Sequence, residues 1–451
     1  MKRSRTTKTA PKVVKRLRSI NVPLQEVPKK QLRVFVTGGD GNCELGLGAT
    51  VTQVKRPREN KFLEDKKIVK LAAGAMHVVA IDADGALWTW GQNDGGALGR
   101  PTPKDEPKQV DSDSEEEEAL MNKSESTPQK ITSTPAGVHF VDVAATDNLS
   151  VALTADGKVW GWGTFINDST HEFSQGIIHQ NEPFQLPGIR GIVKVAAGAN
   201  HVLFLDKESK VWAWGTNNAD QLGAPLRPSL HTIVYGPFKI PGLRNIADIA
   251  CGDYQSFAID KFGKGFAWGL NNFGQCVIFD EDLFGDGAKI SKPHAIDFDE
   301  PLKQIASGAK FSLLLASNGK LFSVGENNFS QLGIKNIPKD KAQFGDSNKA
   351  QYALEPLCIT TASESLAKGS NDTEELNLPP IKYVACGADH AAIIDEDGGV
   401  YTWGIGETYQ LGHGKGEDEP IPRKIWNTAT EDVDFEYVGA GGQYTIMAAY
   451  K

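Results

Sequence analysis

Seven short segments along this chain end in the same way, with a strand-favouring residue followed by glycine: Thr37-Gly38, Trp90-Gly91, Trp162-Gly163, Trp214-Gly215, Trp268-Gly269, Val324-Gly325 and Trp403-Gly404. Seven matching beginnings place a small or turn-forming residue just before an apolar run: Gly74 ahead of His77, Thr146 of Leu149, Gly198 of His201, Gly252 of Gln255, Gly308 of Phe311, Gly387 of His390 and Gly442 of Tyr444. The two series are out of step. The first ending has no beginning before it, and the last beginning has no ending after it, so the two ends of the chain complete one another. A set of small sheets in which the last borrows a strand from the first is a closed ring, which leaves no open edge at either end. This single feature restricts the chain to one architecture, an all-β, seven-bladed β-propeller closed by pairing of its N- and C-terminal strands.

The segment Ile68 to Arg100 shows what one unit contains. Val78 to Ile81 and Leu87 to Trp90 are β-favouring runs separated by Asp82-Ala83-Asp84-Gly85, in which glycine supplies the positive φ of a tight turn. Both runs are apolar on nearly every residue, so each strand is expected to be covered on both faces, as happens when sheets stack. The Trp-Gly pairs at 162, 214 and 268 lie 52 and 54 residues apart, enough for four strands per blade. Larger intervals mark insertions at about 101 to 136, which is acidic, and 335 to 378, which is polar; both are expected to be solvated loops. The propeller is assigned to residues 32 to 451, and residues 1 to 31 to a disordered basic tail.

Charge separates the same two regions. Residues 1 to 33 hold eleven Lys and Arg against Glu26 alone, a net of +10, so the rest of a chain of net charge -9 carries -19. An anionic partner is expected for the tail and a basic one for the body. Lys2, Arg3 and Arg5, with Lys15, Arg16 and Arg18, form clusters of the kind read by a nuclear import receptor or by nucleic-acid phosphates. No run approaches the roughly eighteen apolar residues of a membrane helix, and no apolar segment follows the basic start, so a soluble intracellular protein without a membrane partner is expected. The five cysteines are widely spaced with no C-x-x-C pair; Cys251 and Cys386 precede repeat glycines and read as inert core thiols.

No constellation for covalent catalysis is present, and no metal or cofactor site is expected. Gly38-Gly39-Asp40-Gly41 is glycine-rich, but no helical pattern follows to form a phosphate cradle, so it reads as a turn. His77, His201 and His390 occupy equivalent positions in different repeats; they are expected to be structural, each bonding a neighbouring backbone. The tryptophans before glycine are expected to pack blade against blade. Informative positions are those that do not repeat, just after the repeat glycine: Ala75-Met76, Asp147-Asn148, Ala199-Asn200, Asp253-Tyr254, Ala309-Lys310, Ala388-Asp389 and Gly442-Gln443. They form a variable ring on one face, and three of the seven carry an acid.

The pattern Gly-x-x-His, apolar run, Asp-Gly turn, aromatic-Gly, Asn-x-x-Gly-x-Leu-Gly resembles the repeat of the regulator of chromosome condensation family over residues 34 to 450. Cys43-Glu44-Leu45-Gly46, Ala144-Ala145-Thr146-Asp147-Asn148, Trp162-Gly163-Thr164-Phe165 and Gly404-Ile405-Gly406-Glu407-Thr408-Tyr409 are similar to its fungal nuclear branch. The Gly-Trp-Arg-His-Thr run of the plant ultraviolet-sensor relatives is missing. The resemblance implies a nuclear, chromatin-associated exchange factor for the small GTPase Ran, using Asp40, Asp147, Asn148, Asn200, Asp253, Asn272, Lys310, Phe311, Asp389 and Tyr444 toward the GTPase. It also implies a wedge hairpin between Thr164 and Gly176, with Phe165, Ile166, Asn167 and Asp168 at its start. The tail clusters and Arg227 would contact nucleosomal DNA and histones. Several positions depart from the family: Asn200 stands where an aspartate is expected, Phe311 and Tyr444 replace histidines, and the wedge lacks its usual Phe-Arg opening. A chromatin-docking propeller with weak or no exchange activity is the alternative.

Overall fold

The computed structural model describes residues 23–39, 41–103, 121–167, 170–224, 233–344, 350–367, 370 and 372–451. It contains seven antiparallel sheets arranged as blades around a central channel. Counting from the composite blade, blade 1 runs from the channel outward as Phe435–Ala440, Tyr444–Tyr450, Leu32–Gly39 and Gln53–Glu59. Leu32 pairs with Tyr450 and Gly38 with Tyr444, so the two chain ends close the ring as the offset repeats require. Blade 2 is built from Ile68–Ala73, His77–Asp82, Leu87–Gly91 and Gln129–Lys130, and blade 3 from Phe140–Ala145, Leu149–Thr154, Val159–Gly163 and Gln180–Gln185. Blade 4 spans Ile192 to Lys239, blade 5 Ile246 to Ala295, blade 6 Leu302 to Ile359 and blade 7 Ile381 to Lys424.

The second strands are buried along their length, as in His77–Asp82 and Leu149–Thr154, because each is covered by a neighbouring blade on both faces. Gly91 (φ 109°) shows why the strand ends in glycine: a Cβ there would lie 2.5 Å from the Met76 carbonyl oxygen and from His77 Cα. Gly85 (φ 78°) makes the expected turn. The pairing of His77 with Gly91 recurs in the other blades, as in His201 with Gly215 and His390 with Gly404. The loop between first and second strands and the loop after the third strand open on one face, here called the upper face. The Asp-Gly turns open on the lower one.

The two insertions differ from the expectation of solvated loops. Within 101 to 136, residues Lys123–Ser126 form a helical turn and Gln129–Lys130 supply the outer strand of blade 2; residues 104 to 120 lie outside the described residues. Within 335 to 378, Leu357–Ile359 is the outer strand of blade 6, and Thr361–Ser365 with Thr373–Asn377 forms a hairpin that lengthens the sheet of blade 7. Polarity concealed these strands because outer strands face solvent on one side. The tail lies outside the described residues up to 22, but contact with the propeller begins before residue 31. Gln25 Nε2 donates to the Val193 carbonyl at 2.5 Å and to Asp142 Oδ2 at 3.3 Å, and Val27 packs against the core of blades 3 and 4.

Candidate functional site

Adjacent blades are joined by a network of buried polar groups that repeats. At the junction of blades 4 and 5, His201 Nε2 lies 2.8 Å from Ser256 Oγ, Ser256 Oγ donates to the Gln221 carbonyl at 2.8 Å, and Trp268 Nε1 donates to that same carbonyl at 2.9 Å. Because the serine proton goes to the carbonyl, the imidazole must donate from Nε2, which fixes its tautomer. Blades 2 and 3 repeat the arrangement with His77, Ser150, the Ala97 carbonyl and Trp162. His390 reaches Thr445 Oγ1 at 3.1 Å. The histidines are therefore structural: Nε2 of each meets a hydroxyl of the next blade, and the rings of His77 and His390 also meet the expected neighbouring backbone, at Asp147 and Tyr444. Burial pushes the pKa of His77 and His390 down to about 4 and that of His201 to about 3.

The indole ties explain the Leu-Gly at the end of each repeat. A Cβ on Gly46, Gly99, Gly223 or Gly333 would press on Trp90, Trp162, Trp268 or Trp403, at 2.6 to 2.8 Å. Trp90 and Trp403 donate to the Glu44 and Gln331 carbonyls. Where blade 6 has Val324 in place of tryptophan, the glycine has become Val277, held at φ 59°.

The junction of blades 3 and 4 has none of this. Leu149 replaces the histidine and Val202 the serine, and the segment after Gly163 is a hairpin in which Phe165 pairs with Glu172 and Ile166 with His171. Phe165 and Phe173 meet the Trp214 ring edge-on, with centroids at 4.7 and 5.1 Å and planes at 89°. Trp214 Nε1 is buried and, among the described residues, meets no acceptor. An apolar cluster has replaced the polar one, and the hairpin rises from it on the upper face.

Beside the hairpin, the non-repeating loops close into a collar. Asp147 N donates to the Ala199 carbonyl (3.0 Å), Ala199 N to Asp253 O (3.3 Å), Asp253 N to Gly308 O (3.2 Å), Ala309 N to Ala388 O (3.0 Å) and Gly442 N to Ala75 O (2.9 Å). The collar surrounds a cavity of about 120 Å³ lined by Asp147, Asp253 and small residues, including the half-buried Cys251 and Cys386. Removal from water pushes the Asp147 carboxyl up to about 7, helped by Asp253; the same cause, helped by Asp389, pushes Asp253 up to about 6. Both shifts favour the neutral acids, and a cation entering the mouth would favour their ionisation.

The sequence-derived residues divide into two groups here. Asp147, Asn148, Asn200, Asp253, Lys310 and Asp389 lie together on the collar, half-buried, with Asn272 on the neighbouring loop of blade 5. Lys310 Nζ sits 3.4 Å from Glu326 Oε1 and over the Phe273 ring, and Gln331 Nε2 donates to Asp389 Oδ1 at 3.2 Å. Asn200 Oδ1 accepts from Ile166 N at 2.8 Å, tying collar to hairpin. Phe311 and Tyr444, however, are fully buried and cannot face a partner: they fill the histidine position of their junctions, where Tyr444 Oη donates to the Gly74 and His77 carbonyls. Phe165 is likewise an anchor and not a wedge tip, while Ile166 and Asn167 are half-buried. Asp40, Asp168, Arg227 and the tail clusters Lys2, Arg3, Arg5, Lys15, Arg16 and Arg18 lie outside the described residues. Cys358, which does not precede a repeat glycine, is exposed.

Sequence reasoning missed Phe173, Trp214, Glu326 and Gln331. The first two carried a partial signal: Leu149 and Val202 break the histidine and serine pattern beneath the hairpin, as Phe311 with Ala391 and Tyr444 with Val78 break it at two other junctions.

A family model described as RCC1-like domain matches residues 33–447. The chain belongs to this family. It is 39% identical over 442 residues to the guanine nucleotide exchange factor SRM1 of Saccharomyces cerevisiae, covering 93% of this chain and 88% of that protein. It is 27% identical over 435 residues to the mouse regulator of chromosome condensation, covering 92% and 90%. Among solved structures it is similar to yeast RCC1 (Prp20) bound to Kap60, with TM-score 0.83 and 35% identity over 99% of this chain and 96% of that one. It is also similar to Prp20p of Saccharomyces cerevisiae, solved in a study of its binding properties to Gsp1p and histones, with TM-score 0.80 and 35% identity over 95% and 93%. The RCC1-like chain described here shares their seven-bladed fold.

Proposed function

We propose that this RCC1-like protein is a guanine-nucleotide exchange factor for the small GTPase Ran, acting in the nucleus on chromatin. The observation that carries the reading is the upper face: a collar of non-repeating loops, its carboxylates held partly out of water, beside a hairpin mounted on an apolar junction. Nearly full-length kinship to an exchange factor supports it.

Nucleotide release needs no bond to be made. The factor must bind the nucleotide-free GTPase more tightly than the loaded one, and nucleotide must weaken the factor by the same free energy. A hairpin can occupy the volume that phosphate and magnesium vacate, and collar carboxylates can pair with the basic side chains that phosphate leaves behind. Each contribution exists only in the empty state, so each lowers the barrier to release. The basic tail serves a different contact. Neutralising about 5 to 8 phosphates gives a log-log salt slope of about -4 to -7 without sequence preference, and the same clusters suit a nuclear import receptor.

The test is release of a fluorescent guanine nucleotide from Ran on mixing with the full chain. Accelerated release at micromolar protein is expected. Nucleosome binding without any acceleration, and without capture of nucleotide-free Ran, would overturn it in favour of a chromatin-docking propeller.

A further inference from the structure

We propose that Asn200 is a positioning residue for exchange: its side chain sets the position of the blade 3 hairpin by accepting the Ile166 backbone N–H, in place of the indole tie that fixes the equivalent loop elsewhere. This rests on the exchange reading above. In four other blades a buried tryptophan N–H holds the carbonyl of the preceding blade's loop, at 2.7 to 2.9 Å. For the hairpin that donor is Trp214 Nε1, and it meets no acceptor among the described residues. Phe165 and Phe173 hold the hairpin against the ring, but edge-on ring contacts tolerate sliding and do not fix a register.

Blade 4 makes two directional ties to the hairpin: Tyr235 of its outer strand bonds Glu172 on the returning strand, and at the hairpin's start Asn200 Oδ1 accepts from Ile166 N at 2.8 Å. Asn200 is itself immobilised: its carbonyl accepts from Thr216 N at 2.8 Å and from Thr216 Oγ1 at 2.9 Å, and the residue before it is locked into the collar. A backbone N–H can only donate, so the orientation of the Asn200 amide is decided: Oδ1 faces the hairpin, and Nδ2 is left without an acceptor in the described chain. Acceptor and charge are thus separable at this position. A carboxylate would hold Ile166 equally well, so the asparagine keeps the tie while withholding a further negative charge from the space between Asp147 and Asp253.

The test uses the full chain with Asn200→Ala, which removes the acceptor, and Asn200→Asp, which keeps it. Two readouts are taken: hydrogen exchange of peptides covering 164 to 176, and the maximal and half-saturating values for nucleotide release from Ran. For Asn200→Ala, hairpin amides should exchange about tenfold faster while the Trp268-tied loop at 217 to 223 is unchanged. The maximal release rate should drop about tenfold at a half-saturating concentration within about twofold of the original. Asn200→Asp should restore both protection and rate. Unchanged hairpin protection in Asn200→Ala, or Asn200→Asp behaving like Asn200→Ala, would overturn the positioning role. If the unmodified chain fails to accelerate release, the exchange reading falls, and the hydrogen-exchange arm still decides whether Asn200 sets the hairpin.

Discussion

The junction between blades 4 and 5 and the junction between blades 3 and 4 occupy equivalent places in the ring and are built on opposite principles. The first is a directional polar network, His201 to Ser256 to the Gln221 carbonyl with Trp268 on the same oxygen. The second is a dry cluster of Leu149, Val202, Phe165, Phe173 and Trp214. A buried hydrogen-bond network specifies one geometry, since every alternative leaves a polar group unpaired. An apolar cluster keeps most of its energy through small displacements, since burial has no direction. The complete histidine–serine network stands at the junctions of blades 2 and 3 and of blades 4 and 5; the apolar cluster stands beneath the blade 3 hairpin.

That contrast can be attacked in three ways, beginning with acid. His201 is held near 3, far below the ordinary value near 6.5, so the native state binds fewer protons than the unfolded chain between those limits. Its contribution is full above about pH 6.5 and is lost as pH falls toward 3. His77 and His390, near 4, act in the same sense. At pH 5 each is expected to cost about 2 kcal/mol of stability relative to pH 7. Denaturant titrations should show the loss, and His201→Gln should reduce it. Hydrogen exchange at pH 5 should open the blade 4 and 5 junction before the Leu149 junction; simultaneous opening would mean that the two do not differ.

A smaller effect isolates the indole. Trp268→Phe breaks a buried hydrogen bond, whereas Trp214→Phe removes a donor that has no partner. The first substitution should cost about 1 to 2 kcal/mol more than the second in chemical denaturation. Equal losses would mean that Trp214 finds an acceptor in solution.

The smallest effect lies at the rim of the dry junction. Asp147 is pushed up to about 7 from 3.8, so the native state holds its proton more tightly between those values and stability falls as pH rises through that window. Asp147→Asn should therefore stabilise at pH 8, on the order of 1 kcal/mol after allowing for solvent at the channel mouth, and have little effect below pH 4. Under the proposed function it should also slow nucleotide release. Slower release with lower stability at pH 8 would identify Asp147 as structural.

The architecture was legible because it rests on recurrence. Offset Trp-Gly and Gly-x-x-His series determine both blade number and closure, and neither depends on reading any one strand correctly. The outer strands of blades 2 and 6 were illegible because a strand wet on one side resembles a polar loop. At the site, position in the repeat located the collar, including Asp147, Asn200 and Asp253, but not the direction of side chains. Phe311 and Tyr444 were taken for contact residues because they differ from the histidine, yet they vary in a place that is still core. The Trp214 cluster requires three positions in two neighbouring repeats, 149 and 165 in one and 202 in the next, to be read together as one packing unit, and only coordinates bring them side by side.

Pairing of Leu32 with Tyr450 and Gly38 with Tyr444 also sets an order of events during synthesis. The strand Leu32–Gly39 is among the first to leave the ribosome, and its inner partner is the last. Until Tyr444 to Tyr450 emerge, Phe435–Ala440 and Leu32–Gly39 have no strand between them, and the ring is an open arc. Unpaired edges of this kind are where nascent chains associate wrongly. Closure of the ring therefore waits on Tyr444 to Tyr450, the strand that joins Leu32–Gly39 to Phe435–Ala440.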